Sequence, residues 1–356
     1  MINSEYLKPF GITLKPYWKK MLLAASCAGL AAFGIQVAIQ NYQNHSNFVA
    51  GEDAYKLADC GTAIGHLNKI SMRNVPFHNN QYFEAAQPKI EECKALQSFI
   101  VHITDKKYTS ALRSAAKFID SFKENHLTAL VYVRSADIFN ENPVEAIVGF
   151  SFCPQIEMFS RYNLIPQPDE NLPLLHFACG EYYKQEKSYN LAIPSYQFFL
   201  DNYPQHSLLS NAKAAMASIA IDLAKSAKTV EIDMPQKIGK SAPGTVTIII
   251  QNDAPDTLDV TFSGPNTLLE TIEDCPDCQV LTQAPKYCPE KGPIKEYTIA
   301  PGDYDVLFES PKSSDVTPML GEWQLEDGAK YYMCSIVVKK KVNDISDVFK
   351  PVAEQP

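Results

Sequence analysis

Apolar residues follow three successive patterns along the chain, and each pattern predicts a different kind of structure. Residues 21–39 form one apolar stretch without a charged residue. From 54 to 228, Ala, Leu and aromatic residues recur at three- and four-residue spacing, which is typical of helices that bury one face. From 229 to 340, apolar and polar residues alternate in short β-branched runs, which predicts strands.

The stretch 21–39 predicts a single transmembrane helix. At about 1.5 Å per residue it is about 28 Å long, close to the hydrocarbon thickness of a bilayer. Four lysines and one glutamate precede it, whereas 40–49 contains neither Lys nor Arg. The positive-inside rule therefore predicts a cytoplasmic tail at 1–20, a linker at 40–53 and the bulk of the chain in the periplasm or an equivalent lumenal space. Cleavage as a signal peptide and lipid attachment at Cys27 remain alternatives.

The helical region contains an internal repeat. The segment 107–122 recurs 81 positions later, and a weaker copy places Ala146, Phe150 and Cys153 between the two. Such spacing predicts stacked helical hairpins of about 35 to 45 residues. The residues that recur at the offset of 81 are Ala111, Ser114, Phe118 and Asp120, matched by Ala192, Ser195, Phe199 and Asp201.

The last copy resembles a tetratricopeptide repeat. Its small, aromatic and terminal proline positions are occupied by Gly180, Tyr183, Ala192, Tyr196, Phe199 and Pro204. Small residues let two antiparallel helices approach, aromatic residues fill the space between hairpins, and proline ends the second helix. The resemblance implies that these residues and Tyr189 pack the hairpin or line a groove that binds other proteins.

The runs after residue 228 predict a β-sandwich that resembles immunoglobulin-like modules. Turn signals lie at 300–303 and at Asp327-Gly328. The predicted fold class is therefore a membrane-anchored multidomain protein. It consists of one N-terminal transmembrane helix, an all-α helical-repeat domain at 54–228, an all-β sandwich at 229–340 and a flexible tail at 341–356.

The net charge and the cysteine content of the chain limit its expected partners and bonds. The net charge of −9 over 356 residues argues against a nucleic-acid partner, because phosphate neutralisation needs clustered Lys and Arg. Of nine cysteines, Cys27 lies in the apolar stretch and four lie in each of the two predicted domains. In the β region, disulfides are expected among Cys275, Cys278, Cys288 and Cys334, with the pairing open. In the helical region, buried free thiols are favoured, since Cys153 and Cys179 fall at packing positions.

The sequence contains no catalytic constellation, and it predicts no catalytic residue, no cofactor and no metal ligand. Cys275-Pro-Asp-Cys278 has the spacing of a redox motif or of half a zinc site. A redox motif needs a helix after its first cysteine, and a zinc site needs two further ligands, for which only Cys288 and Cys334 are available. Both interpretations remain alternatives.

The favoured function is a non-catalytic, membrane-anchored envelope scaffold that binds other envelope proteins through its helical repeats. One alternative is a cell-wall or carbohydrate binder that stacks its ligand on Tyr297, Tyr304 and Trp323 of the β-sandwich. Another is a thiol–disulfide oxidoreductase that uses Cys275 and Cys278. The oligomeric state is not predicted.

Overall fold

The structure is a computed structural model, and it describes residues 15–70, 81–123, 125–281, 283, 285, 287–289, 291–311 and 316–338. Two units are distinguished, residues 1–142 with 157–166 and residues 143–156 with 167–356. The predicted tail 341–356 and residues 1–14 of the predicted cytoplasmic segment lie outside the described residues.

The first unit is helical. Its elements are α1 (Lys15–Lys56), α2 (Cys60–Leu67), α3 (Gln81–Thr104), α4 (Tyr108–Ser121), α5 (Leu127–Glu141) and most of α7 (Ile156–Arg161). The second unit contains α6 (Val144–Ile147), a 3₁₀ turn at Cys153–Gln155, α8 (Pro168–Gln185), α9 (Tyr189–Asn202), α10 (Leu209–Ser226) and all the strands.

The predicted transmembrane helix is wrong. Within the part of the chain that the structure describes, no helix combines the length and the apolar content needed to cross a membrane. Residues 21–39 belong to α1, a helix of 42 residues that continues without a break through the polar residues 40–56. The predicted linker at 40–53 is thus helical. Three other predictions depended on this helix and are corrected with it: the single-pass anchor, the cytoplasmic N-terminus and the membrane as a partner.

Three pairs of consecutive helices, α1–α2, α3–α4 and α8–α9, share one turn geometry. Each turn contains a residue of positive φ: Ala58 (58°), Lys106 (58°) and Lys187 (54°). The N–H of the following residue donates to the carbonyl oxygen four positions before the positive-φ residue, at 2.8–2.9 Å. This bond is the one that closes a Schellman motif at a helix C-terminus.

Buried positions recur at fixed distances from that turn. Five residues after it stand Ala63, Ala111 and Ala192, all 0% exposed. Twelve residues after it stand Ile70, Phe118 and Phe199, which are 0–4% exposed. The repeat at the offset of 81 therefore corresponds to two hairpins of equal register, and α1–α2 is a third copy that the sequence analysis missed. The weak copy at 146–153 forms only a four-residue helix and a turn.

The strands form two mixed sheets in the second unit. The strands are β1 (Val230–Glu231), β2 (Gln236–Lys240), β3 (Val246–Asn252), β4 (Leu258–Ser263), β5 (Leu268–Ile272), β6 (Ile294–Ile299), β7 (Gly302–Glu309), β8 (Met319–Leu325) and β9 (Ala329–Ser335). The sheet orders are β1-β8-β7-β4-β5 and β2-β9-β3-β6. The pairs β1–β8 and β3–β9 are parallel, and the other pairs are antiparallel.

One apolar cluster contains inward side chains of both sheets, among them Ile248 of β3 and Val260 of β4. Helix α10 packs on the five-stranded sheet through a smaller cluster in which Ile221 and Ala224 contact Leu307. The sequence analysis predicted an all-β module that begins at 229. Instead, α8, α9 and α10 belong to the same unit as the sheets, because α10 presents an apolar face that packs on the five-stranded sheet, where Leu307 of β7 and Leu320 of β8 meet it.

Candidate functional site

The residues that carry the tetratricopeptide resemblance pack the hairpin α8–α9. Gly180 is buried against Tyr196, since a β-carbon at Gly180 would lie 2.7–2.9 Å from three atoms of that ring. The Tyr196 hydroxyl donates to Glu181 at 2.6 Å, and burial raises the pKa of Tyr196 further than that bond does. Tyr183, Ala192 and Phe199 are buried as well. Tyr189 is half-buried, with its hydroxyl 3.2 Å from Asp222, and Pro204 is exposed just beyond α9. Gly180, Tyr183, Ala192, Tyr196 and Phe199 thus pack the hairpin, whereas Tyr189 and Pro204 remain partly or fully exposed.

The equivalent positions of the other two hairpins also combine a small residue with a large one. In α1–α2, a β-carbon at Gly51 would lie 2.6 Å from Leu67. In α3–α4 the first helix carries Phe99 and the second carries Ala115, both 0% exposed. Each hairpin therefore carries one small and one large residue at these two positions, which suits the close packing of two helices.

One helix of the second unit, α9, has a row of exposed apolar residues. Leu191, Pro194 and Phe198 are exposed along α9 at the spacing of one helix face; we call them the α9 ridge. The ring of Phe198 lies 4.3 Å from the ring of His176 in α8. Burial lowers the pKa of His176 to about 4, so this imidazole is neutral at pH 7. The surface is aromatic and uncharged at its centre.

The three candidate stacking residues of the β region lie in or against the apolar core. Trp323 is 1% and Tyr304 is 2% exposed, and both rings lie within 5.9 Å of the Phe262 ring. The Tyr304 hydroxyl donates to the Ala300 carbonyl oxygen at 2.9 Å, which fixes the turn before β7. Tyr297 is partly buried against the same core. Two of the three rings, those of Tyr304 and Trp323, are thus almost fully enclosed, whereas Tyr297 stays partly exposed.

The eight cysteines beyond Cys27 form four disulfides. In the β region the pairs are Cys275–Cys278 and Cys288–Cys334. In the helical regions Cys60 pairs with Cys93 and Cys153 pairs with Cys179. The sequence analysis favoured free thiols at these last four positions, and the structure differs because neighbouring helices bring each pair together.

The two disulfides of the β region meet at one end of the four-stranded sheet. Strands β3 and β9 are parallel, and Gln251 pairs in register with Cys334. Asp253 follows β3 immediately, and its N–H donates to the Ser335 carbonyl oxygen at 2.9 Å. The Cys275–Cys278 turn lies beside it, since the Cys275 N–H donates to the Ala254 carbonyl oxygen at 3.0 Å. We call Asp253 and the four cysteines the cysteine cluster.

Asp253 is 3% exposed, so its carboxylate depends on protein donors. Its Oδ1 accepts the Lys291 N–H at 2.9 Å, the Gly292 N–H, and the Gln251 amide at 3.3 Å. A β-carbon at Gly292 would collide with the Asn252 carbonyl oxygen, so only glycine fits there. The Gln251 amide is oriented in turn by the Tyr332 hydroxyl, which donates to its Oε1 at 2.6 Å.

The sulfur atoms surround the other side of this carboxylate. The Sγ atoms of Cys288 and Cys334 lie 2.9 Å and 3.5 Å from Oδ2, and Cys278 Sγ lies 3.9 Å from Oδ1. Asp253 forms one potential ligand group with each cysteine pair, whose ligand atoms lie within 4.8 Å of one another. Paired as disulfides, the sulfurs are not the thiolates that metal ions bind, so the cluster's chemistry in this state is that of disulfides.

Asp253, Gln251 and Gly292 were not singled out by the sequence analysis. One signal was present: the buried run of β3 ends in three polar residues, Gln251, Asn252 and Asp253, all at most 3% exposed. Comparison with protein-family models, with curated proteins and with solved structures finds no match to this chain.

Proposed function

We propose that this chain is a non-catalytic scaffold of an extracytoplasmic or lumenal compartment, and that it binds other proteins through its helical hairpins. The observation that carries the proposal is the shared register of α1–α2, α3–α4 and α8–α9. Hairpins of one shared register are the building units of helical-repeat proteins, whose surfaces commonly bind other proteins. The four disulfides support a compartment in which disulfides persist.

Within the second unit, the α9 ridge is the surface that best suits a protein partner. Leu191 is 39% and Phe198 is 37% exposed, and the neutral His176 ring extends the apolar area. An exposed aromatic residue on a rigid helix is a typical anchor of protein interfaces. We therefore expect an apolar helix or extended segment of the partner to lie along α9.

Site-specific photo-crosslinking in cells tests this function. A photoreactive residue at Leu191 is expected to give one discrete adduct with another protein. The same residue at Leu223 of α10, which is 43% exposed, serves as the matched control and is expected to give none. Phe198→Glu, which places a charge in the ridge, should abolish the adduct at Leu191 while far-UV circular dichroism stays unchanged. Equal adducts at both positions, or an adduct that survives Phe198→Glu, would contradict the proposal.

The carbohydrate-binding alternative loses support, because Tyr304 and Trp323 are core residues.

A further inference from the structure

The cysteine cluster combines a half-exposed disulfide with a buried carboxylate. Cys288 and Cys334 are both half-buried, whereas Cys275 and Cys278 are only 3% and 8% exposed. Among the four disulfides of the described residues, Cys288–Cys334 alone joins two residues that are both partly exposed. It is therefore the disulfide of the four that a thiolate in solution approaches most easily, and thiol–disulfide exchange requires such access.

The contact between Cys288 and Asp253 suits the reduced state of the disulfide. A half-cystine has no proton, so Cys288 Sγ cannot donate to Oδ2 across the 2.9 Å that separates them. A Cys288 thiol in the same position would donate its proton to that oxygen. Three donors on Oδ1 hold the carboxylate in place, and a positioned carboxylate is a suitable proton acceptor for a thiol.

We propose that Cys288–Cys334 is a thiol–disulfide exchange site for the dithiol of a client protein, and that Asp253 transfers the proton of Cys288. The proposal goes beyond the scaffold function and does not depend on it. The sequence analysis considered Cys275 and Cys278 for this chemistry, but the structure assigns it to the other pair.

The exchange is balanced in two steps. The first client thiol loses its proton to the solvent and attacks Sγ of Cys334 as a thiolate. The Cys288–Cys334 bond breaks, and Cys288 leaves as a thiolate that takes up a proton from the solvent by way of Oδ2 of Asp253. The second client thiol then attacks the first client sulfur, which is bonded to Cys334 in the mixed disulfide. That bond breaks, and Cys334 leaves as a thiol with the proton of the second client thiol. The client loses two electrons and two protons, which the cysteine pair gains. In the reverse direction Asp253 accepts the Cys288 proton, and a client disulfide is reduced.

Partial reduction of the full-length protein tests the proposal. The protein is exposed to limiting dithiothreitol, quenched with an alkylating reagent, and mapped by mass spectrometry of its peptides. We expect Cys288–Cys334 to open at least about tenfold faster than Cys153–Cys179, because exchange rates depend on access and proton transfer. The reduced protein should then reduce a peptide disulfide, and Cys288→Ser should lose this activity. Simultaneous opening of all four disulfides, or opening of Cys288–Cys334 last, would overturn the proposal.

Asp253→Asn isolates the role of the carboxylate. Its amide oxygen can still accept the Lys291 and Gly292 N–H groups, so the fold is expected to persist. We expect exchange to slow by roughly a hundredfold, which is the usual effect of losing a general base. Asp277→Asn, an exposed carboxylate in the Cys275–Cys278 turn, is the matched control and should leave the rate unchanged. An unaltered exchange rate in Asp253→Asn would contradict the proposed proton transfer. If that variant does not fold, the order in which the disulfides of the wild type open still tests whether Cys288–Cys334 is the exchange site.

Discussion

Replacing Gly180 with alanine should destabilise the second unit. The new methyl carbon would lie 2.7, 2.8 and 2.9 Å from three ring carbons of Tyr196, closer than carbon atoms pack. The ring has no room to move, since Tyr196 is 0% exposed and is bonded to Glu181 at 2.6 Å. Overpacking of this kind costs about 1–3 kcal/mol, and the higher helix propensity of alanine returns about 1 kcal/mol. We expect a net loss of up to about 2 kcal/mol.

Urea unfolding measures this loss. The chain contains two tryptophans, and Trp323 lies in the core of the second unit, so Trp18→Phe leaves one fluorescent reporter of that unit. Gly65→Ala in α2 is the control, because a β-carbon there meets no atom within 4 Å. Its unfolding midpoint, followed by circular dichroism, should stay the same or rise. A Gly180→Ala midpoint equal to or above that of the parent protein would refute the reasoning.

A double variant then identifies the ring as the cause. With Tyr196→Ala the obstacle is gone, so adding Gly180→Ala should stabilise the protein by up to about 1 kcal/mol relative to Tyr196→Ala alone. In the hairpin α3–α4 the equivalent positions carry the large residue first, Phe99, and the small residue second, Ala115.

Three further predictions concern the turn geometry, a buried tyrosine and the attachment of α10. Lys187→Gly should raise stability by about 0.5–1 kcal/mol, since φ is 54° there and a left-handed residue other than glycine costs about 1–2 kcal/mol; Lys184→Gly, inside α8, should lower it by about 1 kcal/mol in the same urea assay. The pKa of Tyr55 is raised to about 12 from 10.0, first by burial and then by its hydrogen bond to Glu92, so its protonated form is favoured in the folded state. The resulting stability is fully present below pH 10 and is lost as the pH rises to 12, and the decline between these values should be shallower in Tyr55→Phe than in the wild type when thermal unfolding is followed across that range. Ile221→Ala should cost about 2–5 kcal/mol by removing a 3% exposed contact with β7, whereas Lys225→Ala, which breaks a largely exposed ion pair to Asp305 at 3.0 Å, should cost less than about 1 kcal/mol by chemical denaturation.

Local patterns predicted the elements of this fold better than its organisation. The offset of 81 identified two hairpins, because the turn and the positions at which the paired helices touch are set within about 20 residues of sequence. The third hairpin was missed because Ala54, Leu67 and Ile70 stand where the last copy has the aromatic residues Tyr183, Tyr196 and Phe199, although the Ala58 turn has the same geometry. The transmembrane prediction was wrong, since no helix of the described residues is long and apolar enough to cross a membrane; residues 21–39 instead form part of a helix that ends at Lys56.

The sequence by itself determined which region of the chain is rich in helices and which is rich in strands, and it showed that eight cysteines lie beyond the apolar stretch, four in each region. Only the tertiary structure decided which cysteines pair, where one unit ends, and that Asp253 lies among the sulfur atoms. Asp253 and Cys334 are 81 residues apart and meet because β3 and β9 lie side by side in parallel register. Residue periodicity reports which face of a strand is buried, but it does not specify the neighbouring strand, so a site built across two strands cannot be read from either one.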